Sequence, residues 1–207
     1  MRKPECIKIL DRKLDQDVLV VTPTGKTYMY WEATQREAQI SQLNLGLCAP
    51  VGLGLALALP HRRVVVLDGD GNLLFNLASL ADLAVQNPGN LIEIVFDNEC
   101  YQSCDSFPSA TAKGVDLEFV AKACGIKNTL TVKTLEEFEA ALDKALVGNE
   151  LTFIVAKVVP GEDLVPLPRQ EGRENKYRFV RYVERTENIR IINPYPRRRK
   201  KDFIPSY

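Results

Sequence analysis

The chain has 207 residues, 45% of them hydrophobic and 26% charged, which suits one compact α/β domain with a tail and excludes disordered, fibrous and membrane-spanning classes. Its 27 lysines and arginines balance 27 aspartates and glutamates, so no overall positive field favours nucleic acid or a membrane as partner. Five scattered cysteines and no visible signal peptide predict a cytoplasmic protein without disulfides.

Strand and helix patterns alternate along the first half of the chain. Short runs rich in β-branched residues predict strands, whereas longer periodic runs predict helices. In chain order we predict strands near 18–21 and 39–43, a helix near 50–59, a strand at 63–68, a helix at 73–86 and a strand at 91–97. This alternation predicts a doubly wound parallel sheet with helices on both faces.

The alternation continues in the second half. Asp116 is predicted to cap a helix that ends before Gly125, and Thr134 with Glu137 has the pattern of a capping box. Further strands are predicted near 129–132 and 151–158. Residues 1–160 therefore form the predicted domain, and prolines after Pro160 indicate an irregular extension over 161–207.

The extension carries two features of its own. An amphipathic helix near 177–185 can place Phe179, Val180 and Val183 on one face, to pack on the domain or on a partner. Residues 197–201 are five consecutive cations. A solvated tail, a contact with a partner subunit and polyanion binding would each explain them, and we expect the extension to contact a partner.

The run Gly69-Asp70-Gly71 closes one apolar strand, and Asn98 closes the next. Because parallel strands end at the same edge of a sheet, Asp70 and Asn98 should lie together. Mg²⁺ takes one or two protein oxygens and completes its octahedron with phosphates and water, so a carboxylate and an amide oxygen suit it. The glycines let the backbone approach phosphates, and the following helix directs free amides at them. The sequence therefore predicts a metal-bound diphosphate.

Strand, Gly-Asp-Gly, helix, strand and Asp97-Asn98 resemble, in order and spacing, the diphosphate-binding (PP) domain of thiamine-diphosphate enzymes. Residues 44–47 and the glycine-rich run 51–56 are similar to the Gly-Ser-Met-Gly segment and helix that precede Gly-Asp-Gly in that family. Over roughly residues 1–160 the pattern resembles the β subunits of sulfopyruvate decarboxylase and the matching part of phosphonopyruvate decarboxylase. The resemblance implies thiamine diphosphate and Mg²⁺ as cofactors.

The resemblance also implies roles for individual residues. Asp70, Asn98 and the backbone carbonyl of Cys100 would hold Mg²⁺. Leu45 matches the bulky apolar residue that supports the bent cofactor, although a plain core leucine is the alternative. Leu43 falls where a glycine carbonyl often meets the pyrimidine. The cofactor-binding set is Thr24, Gly25, Asn44, Leu45, Gly46, Gly69, Asp70, Gly71, Asn72, Asn98, Cys100 and Tyr101.

Two further segments depart from the family pattern. Lys26 and Thr27 stand where Ser-Arg is expected, and Lys26 would equally suit an exposed turn. The stretch after Asn98 lacks the usual glycine-rich continuation. A carboxylate at Asp105 would repel a second anionic group, which counts against a sulfonate or phosphonate substrate unless Asp105 faces solvent or pairs with Lys113.

The family's chemistry requires more than this chain offers. The cofactor carbanion adds to a 2-oxo acid and carbon dioxide leaves, assisted by a glutamate from a separate pyrimidine-binding (Pyr) domain. This chain has no room for that domain, and its only histidine, His61, lies at the far end of the strand that carries Asp70. We therefore expect no catalytic side chain here, a Pyr-domain α-subunit partner, at least two copies of each subunit, and a small 2-oxo acid substrate.

Other functions remain open at this stage. A carboligase uses the same carbanion, and sequence does not separate it from a decarboxylase. The β subunit of a 2-oxo acid:ferredoxin oxidoreductase also carries Gly-Asp-Gly, but it normally brings CxxC cysteines that this chain lacks. Cys100 and Cys104 have no further ligands with metal-site spacing and are assigned to packing. A non-catalytic subunit that binds a diphosphate is the third hypothesis.

Overall fold

The computed structural model describes residues 1–161 and 171–192. Its strands are β1 Leu19–Pro23, β2 Gln39–Leu43, β3 Val64–Gly69, β4 Leu91–Asp97, β5 Cys100–Tyr101, β6 Phe107–Pro108, β7 Asn128–Val132 and β8 Thr152–Lys157. Six of them form a parallel sheet in the order β2-β1-β3-β4-β8-β7, and β5 pairs with β6 in a separate antiparallel hairpin.

Helices cover both faces of the sheet. They are α1 Lys3–Lys13, α2 Lys26–Glu32, α3 Cys48–Ala58, α4 Asp70–Leu74, α5 Ser79–Gln86, α6 Leu117–Ala123, α7 Leu135–Val147 and α8 Gly172–Thr186, with a 3₁₀ turn at Ala110–Lys113. Side chains of α1, α2 and α7 bury one face, and those of α3, α5, α6 and α8 bury the other. The predicted fold class is confirmed. None of the described helices carries an apolar stretch long enough to cross a bilayer.

Most predicted elements are confirmed, with one error. The Asp116 carboxylate accepts a hydrogen bond from the Phe119 N–H, and Thr134 and Glu137 form the predicted capping box. The single helix predicted over 73–86 is wrong, because the chain forms α4 and α5 with a turn between them. The Asn76 carbonyl accepts bonds from both the backbone N–H and the hydroxyl of Ser79, and this local alternative interrupts the helix. Helices α1 and α2 were not predicted.

The amphipathic helix predicted near 177–185 is present as α8 and packs on the same domain. Phe179 and Val183 are buried in the core beside strand β2. The Asn175 side chain accepts a hydrogen bond from the Ser41 N–H at 2.8 Å, so it occupies part of the open edge of β2. Residues 162–170 and the cationic run 197–201 lie outside the described part of the chain.

The sheet order identifies where a ligand would bind. From β1 the chain first winds to β2 and then crosses to β3 on the other side of β1. In open α/β sheets this reversal leaves a crevice at the carboxyl ends of the two central strands. The loops that meet there follow β1 and β3, and they contain Gly25 and the Gly69-Asp70-Gly71 run.

Close packing between α3 and β3 holds this part of the sheet together. A Cβ built on Gly52 would collide with the Val66 Cγ2 atom, so the helix can approach the strand only because Gly52 lacks a side chain. Gly54, two residues on, is exposed and has nothing within 4 Å of its Cβ position. The two glycines lie on the same helix in opposite environments.

We predict that Gly52→Ala lowers the free energy of unfolding by about 1–3 kcal/mol, because the added methyl overpacks the contact with Val66. The matched variant Gly54→Ala should be neutral or stabilise the protein by up to about 1 kcal/mol, because alanine favours the helix. Urea denaturation of both variants measures the difference. Equal effects would contradict the close α3–β3 contact.

Two buried carboxyl groups lie next to each other in the core beneath this edge. Glu93 on β4 and Asp68 on β3 are almost inaccessible to solvent, and both oxygens of Glu93 and Oδ2 of Asp68 lack a hydrogen-bond partner within the described residues. Burial and the charge of Asp68 hold the pKa of Glu93 well above its ordinary value. Burial likewise raises the pKa of Asp68 to about 7. Glu93 therefore retains its proton to a higher pH in the folded protein than in the unfolded chain.

Because folding raises the pKa of Glu93, the folded protein holds a proton that the unfolded chain releases. The contribution of this proton to the free energy of unfolding is therefore full at low pH. It decreases as the pH rises from the ordinary carboxyl pKa toward the raised pKa of folded Glu93. Glu93→Gln removes this titration. The free energy of unfolding of the variant, minus that of the wild type, should therefore increase between about pH 5 and pH 8. Urea unfolding across that range measures it, with the exposed Glu150→Gln as control. Parallel profiles for wild type and Glu93→Gln would contradict the prediction.

Candidate functional site at the carboxyl edge of the sheet

The register of β3 and β4 brings the two predicted metal-site residues together. Gly69 pairs with Phe96, so the chains that carry Asp70 and Asn98 leave the sheet side by side. Asp70 is 2% exposed and Asn98 is 7% exposed. Both side chains are thus held at the edge with little access to water.

Three oxygen groups converge at Asn98. The outer atom of its amide that faces the site lies 3.0 Å from Asp70 Oδ1 and 2.9 Å from the backbone carbonyl of Cys100. With nitrogen at that position, the amide donates hydrogen bonds to both oxygens. With oxygen there, the amide nitrogen donates instead to Gln102 Oε1 at 3.3 Å, and three oxygens face one another. In that orientation the Asn98 oxygen accepts only a long hydrogen bond from the Cys100 N–H at 3.4 Å, and a cation between the three oxygens would stabilise it, since oxygens are the ligands that Mg²⁺ prefers.

A metal ion held by Asp70, Asn98 and the Cys100 carbonyl would have two neutral ligands and one carboxylate. Residues 1–161 and 171–192 contain no cluster of three histidine, cysteine, aspartate or glutamate side chains suited to a metal. All five cysteines lie in the described part of the chain and all are unpaired, as the sequence predicted. A hard cation bound by an amide, a carbonyl and a carboxylate is the alternative that the geometry leaves.

Hydroxyl groups orient the Asp70 carboxylate. Ser109 Oγ donates to Asp70 Oδ2 at 2.6 Å, and Thr111 Oγ1 lies 3.3 Å from the same oxygen. Thr111 also donates to Asp97 Oδ1 at 2.8 Å, and Lys157 Nζ lies 2.7 Å from Asp97 Oδ2. These bonds hold Oδ2, which leaves Oδ1 directed at Asn98. Sequence analysis missed both hydroxyls, because nothing local marks a serine and a threonine in a loop as partners of a distant aspartate.

The electrostatic surroundings of Asp70 favour a counter-charge. Burial raises the pKa of Asp70, and the nearby charge of Asp97 adds to the rise. The hydrogen bond from Ser109 and the charge of Lys3 oppose it. A carboxylate in this position gains more from a bound cation than an exposed one would, since the opposing charge is less screened by water.

Gly69 and Gly71 differ in what surrounds them. A Cβ on Gly71 would lie 2.6 Å from Tyr101 Cδ1, so the fold itself requires this glycine. A Cβ on Gly69 would have no atom closer than the Phe96 carbonyl oxygen at 4.0 Å, and the backbone there is extended. No packing or conformational reason therefore demands glycine at 69. An open space above a backbone amide is the environment that a closely approaching phosphate needs.

The Asn72 side chain is engaged within the protein. Its nitrogen donates to Asp68 Oδ1, and its oxygen accepts from the Gly46 N–H at 3.1 Å. Asn76 Nδ2 donates to the Gly46 carbonyl at 3.0 Å. Gly46 has a φ of +79° and its Cβ position is 2.9 Å from Asn76 Cβ, so both backbone shape and space require glycine. The loop that contains Asn44, Leu45 and Gly46 is thereby fixed to the start of α4.

The loop after β1 completes the edge. Thr24 is exposed, and its N–H donates to the Leu43 carbonyl at 3.0 Å. Gly25, with a φ of +95°, precedes α2. Lys26 is half-buried rather than an exposed turn residue, and its ammonium donates to the Gly161 carbonyl at 2.9 Å. The predicted loop residues therefore lie at the crevice, with the Leu43 carbonyl already accepting one bond.

Exposed apolar side chains surround the polar centre. We call Leu45, Leu47, Phe75, Tyr101 and Phe107 the apolar rim. Leu45 is 44% exposed, so it is not an ordinary core leucine. Phe75 meets Tyr101 edge to face at 6.2 Å between ring centroids, and Tyr101 pairs with Phe107, which is 64% exposed, in the β5–β6 hairpin. Apolar patches of this kind mark sites that bind a ligand or a protein.

Two other residues lie away from this centre. His61 precedes β3 at the amino edge of the sheet, where its Nε2 lies 2.7 Å from Glu187 Oε2. Asp105 is exposed on the loop between β5 and β6. In this chain alone its carboxylate therefore faces solvent.

Comparison with known proteins agrees with this geometry. Residues 23–156 match the family model described as the thiamine pyrophosphate enzyme, C-terminal TPP binding domain. The sulfopyruvate decarboxylase β subunit of Methanocaldococcus jannaschii is 33% identical over 180 residues, which are 86% of this chain and 95% of that protein. The phosphonopyruvate decarboxylase of Streptomyces viridochromogenes is 34% identical over 187 residues, 87% of this chain and 47% of that protein.

The fold has relatives among solved structures as well. The benzoylformate decarboxylase of Polynucleobacter necessarius superposes with a TM-score of 0.64 at 22% identity, over 81% of this chain and 34% of that chain. This chain thus spans nearly all of the β subunit, about half of the phosphonopyruvate enzyme and about a third of the solved structure. The resemblance found in the sequence is confirmed: the chain belongs to the thiamine pyrophosphate enzymes and corresponds to their C-terminal TPP-binding domain.

Proposed function

We propose that this chain is the diphosphate-binding subunit of a heteromeric decarboxylase that acts on a small 2-oxo acid and uses thiamine diphosphate with Mg²⁺. The observation that carries the proposal is that Asp70 Oδ1 and the Cys100 carbonyl lie 3.0 Å and 2.9 Å from the same atom of the Asn98 amide. The β-subunit relative, matched over nearly its whole length, supports the subunit assignment.

In this proposal Asp70, Asn98 and the carbonyl of Cys100 hold Mg²⁺. The open space at Gly69 admits a phosphate oxygen, and the hydroxyls of Ser109 and Thr111 keep Asp70 directed at the ion. Leu45 offers an exposed apolar surface at the rim, where it can support the cofactor rings. The bound cofactor supplies the carbanion and accepts the electrons released with carbon dioxide. This chain binds and orients the cofactor, and residues that transfer protons come from the partner.

The substrate class follows from the relatives and from Asp105. Relatives named for sulfopyruvate and phosphonopyruvate both act on a 2-oxo acid with a second anionic group. In this chain alone Asp105 is exposed, and we propose that its charge stays in solvent on assembly. We therefore propose a 2-oxo acid that carries a second anion. A carboligase remains the competing activity, and a product assay separates the two.

The apolar rim is the face on which we propose that the Pyr-domain α subunit docks. It surrounds the polar centre on the side that the rest of this chain leaves open, and Phe75 and Phe107 are each more than half exposed. An active site that excludes water needs a cover over these side chains. A hetero-oligomer with at least two copies of each subunit would supply that cover.

Asp70→Ala should weaken the affinity for thiamine diphosphate in the presence of Mg²⁺ by about a hundredfold or more, because it removes the only charged oxygen ligand. Chelation of Mg²⁺ should bring the wild type to the same low affinity and leave the variant unchanged. Calorimetric titration measures both, and Asp82→Ala, an exposed change on α5, is the control. A variant that retains a full response to Mg²⁺ would exclude Asp70 as a ligand.

The chain alone should release no carbon dioxide from sulfopyruvate or phosphonopyruvate, and addition of its α subunit should restore the activity. Phe107→Asp should block assembly, because it places a charge in the apolar rim. Val147→Asp is the control, since Val147 is 91% exposed at the end of α7, near the opposite edge of the sheet. Gel filtration and carbon dioxide release measure the two effects. Activity of the chain alone, or equal assembly of both variants, would refute the docking proposal.

A further inference from the structure

Two lysines lie beside the site and have no role in the function described above. Lys3 begins α1, and its Nζ donates to Thr27 Oγ1 at 3.2 Å. Lys26 begins α2, and its Nζ donates to the Gly161 carbonyl at 2.9 Å. Within residues 1–161 and 171–192, neither ammonium forms an ion pair with a carboxylate. Both are therefore cations that the protein holds in place with neutral partners.

The surroundings make these charges costly when nothing else is bound. The Lys3 ammonium is 5.6 Å from the centre of the Phe96 ring, on the face of the sheet that α1 buries. Burial lowers the pKa of Lys3 to about 8, Asp70 is the main influence that opposes the fall, and Lys26 adds to it by repulsion. Two cations that repel each other at a partly dry edge gain energy from an anion between them.

A small cleft connects Lys3 with the candidate metal ligand Asn98, and Lys26 bonds to Gly161 in its wall. Lys3, Asn98, Gln102 and Gly161 line it, together with Tyr30. Gln102 Nε2 donates to the same Gly161 carbonyl that accepts from Lys26, and Gln102 Oε1 accepts from Asn98 Nδ2. One chain of hydrogen bonds thus joins the second lysine to Asn98. The lysines are neighbours of the metal site and not a separate surface patch.

We propose that Lys3 and Lys26, here called the lysine pair, bind the diphosphate of the cofactor directly. The inference rests on the proposed function. Lys157 pairs with Asp97, and Mg²⁺ with the two ammonium groups outweighs the charges of Asp70 and Asp68, so the floor of the site carries a net positive charge. A diphosphate matches it, because phosphate groups are multiply ionised at neutral pH and accept charge-assisted hydrogen bonds. Two ammonium groups would also suit an anionic group of the substrate. The experiment below distinguishes the cofactor diphosphate from the substrate.

The test compares Lys3→Met and Lys26→Met with the wild type by calorimetric titration of thiamine diphosphate in excess Mg²⁺, on the full chain assembled with its α subunit. Each loss of a charged hydrogen bond should weaken binding about tenfold or more. Lys3→Arg should retain most of the affinity, since the charge remains. Lys8→Met, on the exposed side of α1, should have no effect. Thiamine, which has no phosphate, should bind all the variants alike.

Three results would overturn the inference. Affinity for thiamine diphosphate could stay unchanged in both methionine variants. The affinities for thiamine and thiamine diphosphate could fall equally, together with thermal stability. Lys3 would then only stabilise the fold, through its hydrogen bond to Thr27. The variants could instead raise only the KM for the anionic 2-oxo acid, which would place the lysine pair at the substrate. A wild type that fails to bind thiamine diphosphate would overturn the proposed function itself, and that outcome is visible before any variant is made.

Discussion

The pairing of β3 with β4 is the constraint on which the whole site depends. Both strands are buried, and their register places Gly69 opposite Phe96, so Asp70 and Asn98 emerge together. A slip of one residue would turn each side chain to the other face of the sheet and separate the oxygens. The apolar core therefore sets the oxygen distances at the candidate metal site, since the same side chains that exclude water also fix the register.

The sequence was sufficient for features that depend on local patterns. Short sequence patterns identify the two central strands and the glycine-rich turn that ends one of them. Asp70 and Asn98 could therefore be placed at one edge of the sheet. Ser109 and Thr111 could not, because their contacts with Asp70 span a long separation and hydroxyls are common in loops. The break between α4 and α5 was missed because the apolar pattern continues across it. The lysine pair was missed in part because α1 was not predicted.

Buried carboxyl groups are concentrated at this edge of the sheet. Asp68 accepts bonds from the Gly69 N–H and from Asn72, yet its second oxygen has no partner in the described chain, and neither has either oxygen of Glu93. Such groups cost stability, and the large core on both faces of the sheet offsets that cost. Asp68 in return holds the Gly69 turn and, through Asn72, the Gly46 loop. These buried polar groups thus position the backbone that a phosphate would contact.

The site has two zones with different chemistry, and the difference agrees with the proposal that a second subunit completes the site. Its floor is polar, with an oriented carboxylate, open backbone at Gly69 and two ammonium groups, and it suits phosphate and metal. Its rim is apolar and exposed, and water would cover it if nothing else did. Decarboxylation through a carbanion requires that water be excluded from the reacting carbon. The floor suits the cofactor, and the α subunit that we propose on the rim would exclude water from the centre, which is why we assign catalysis to the assembly.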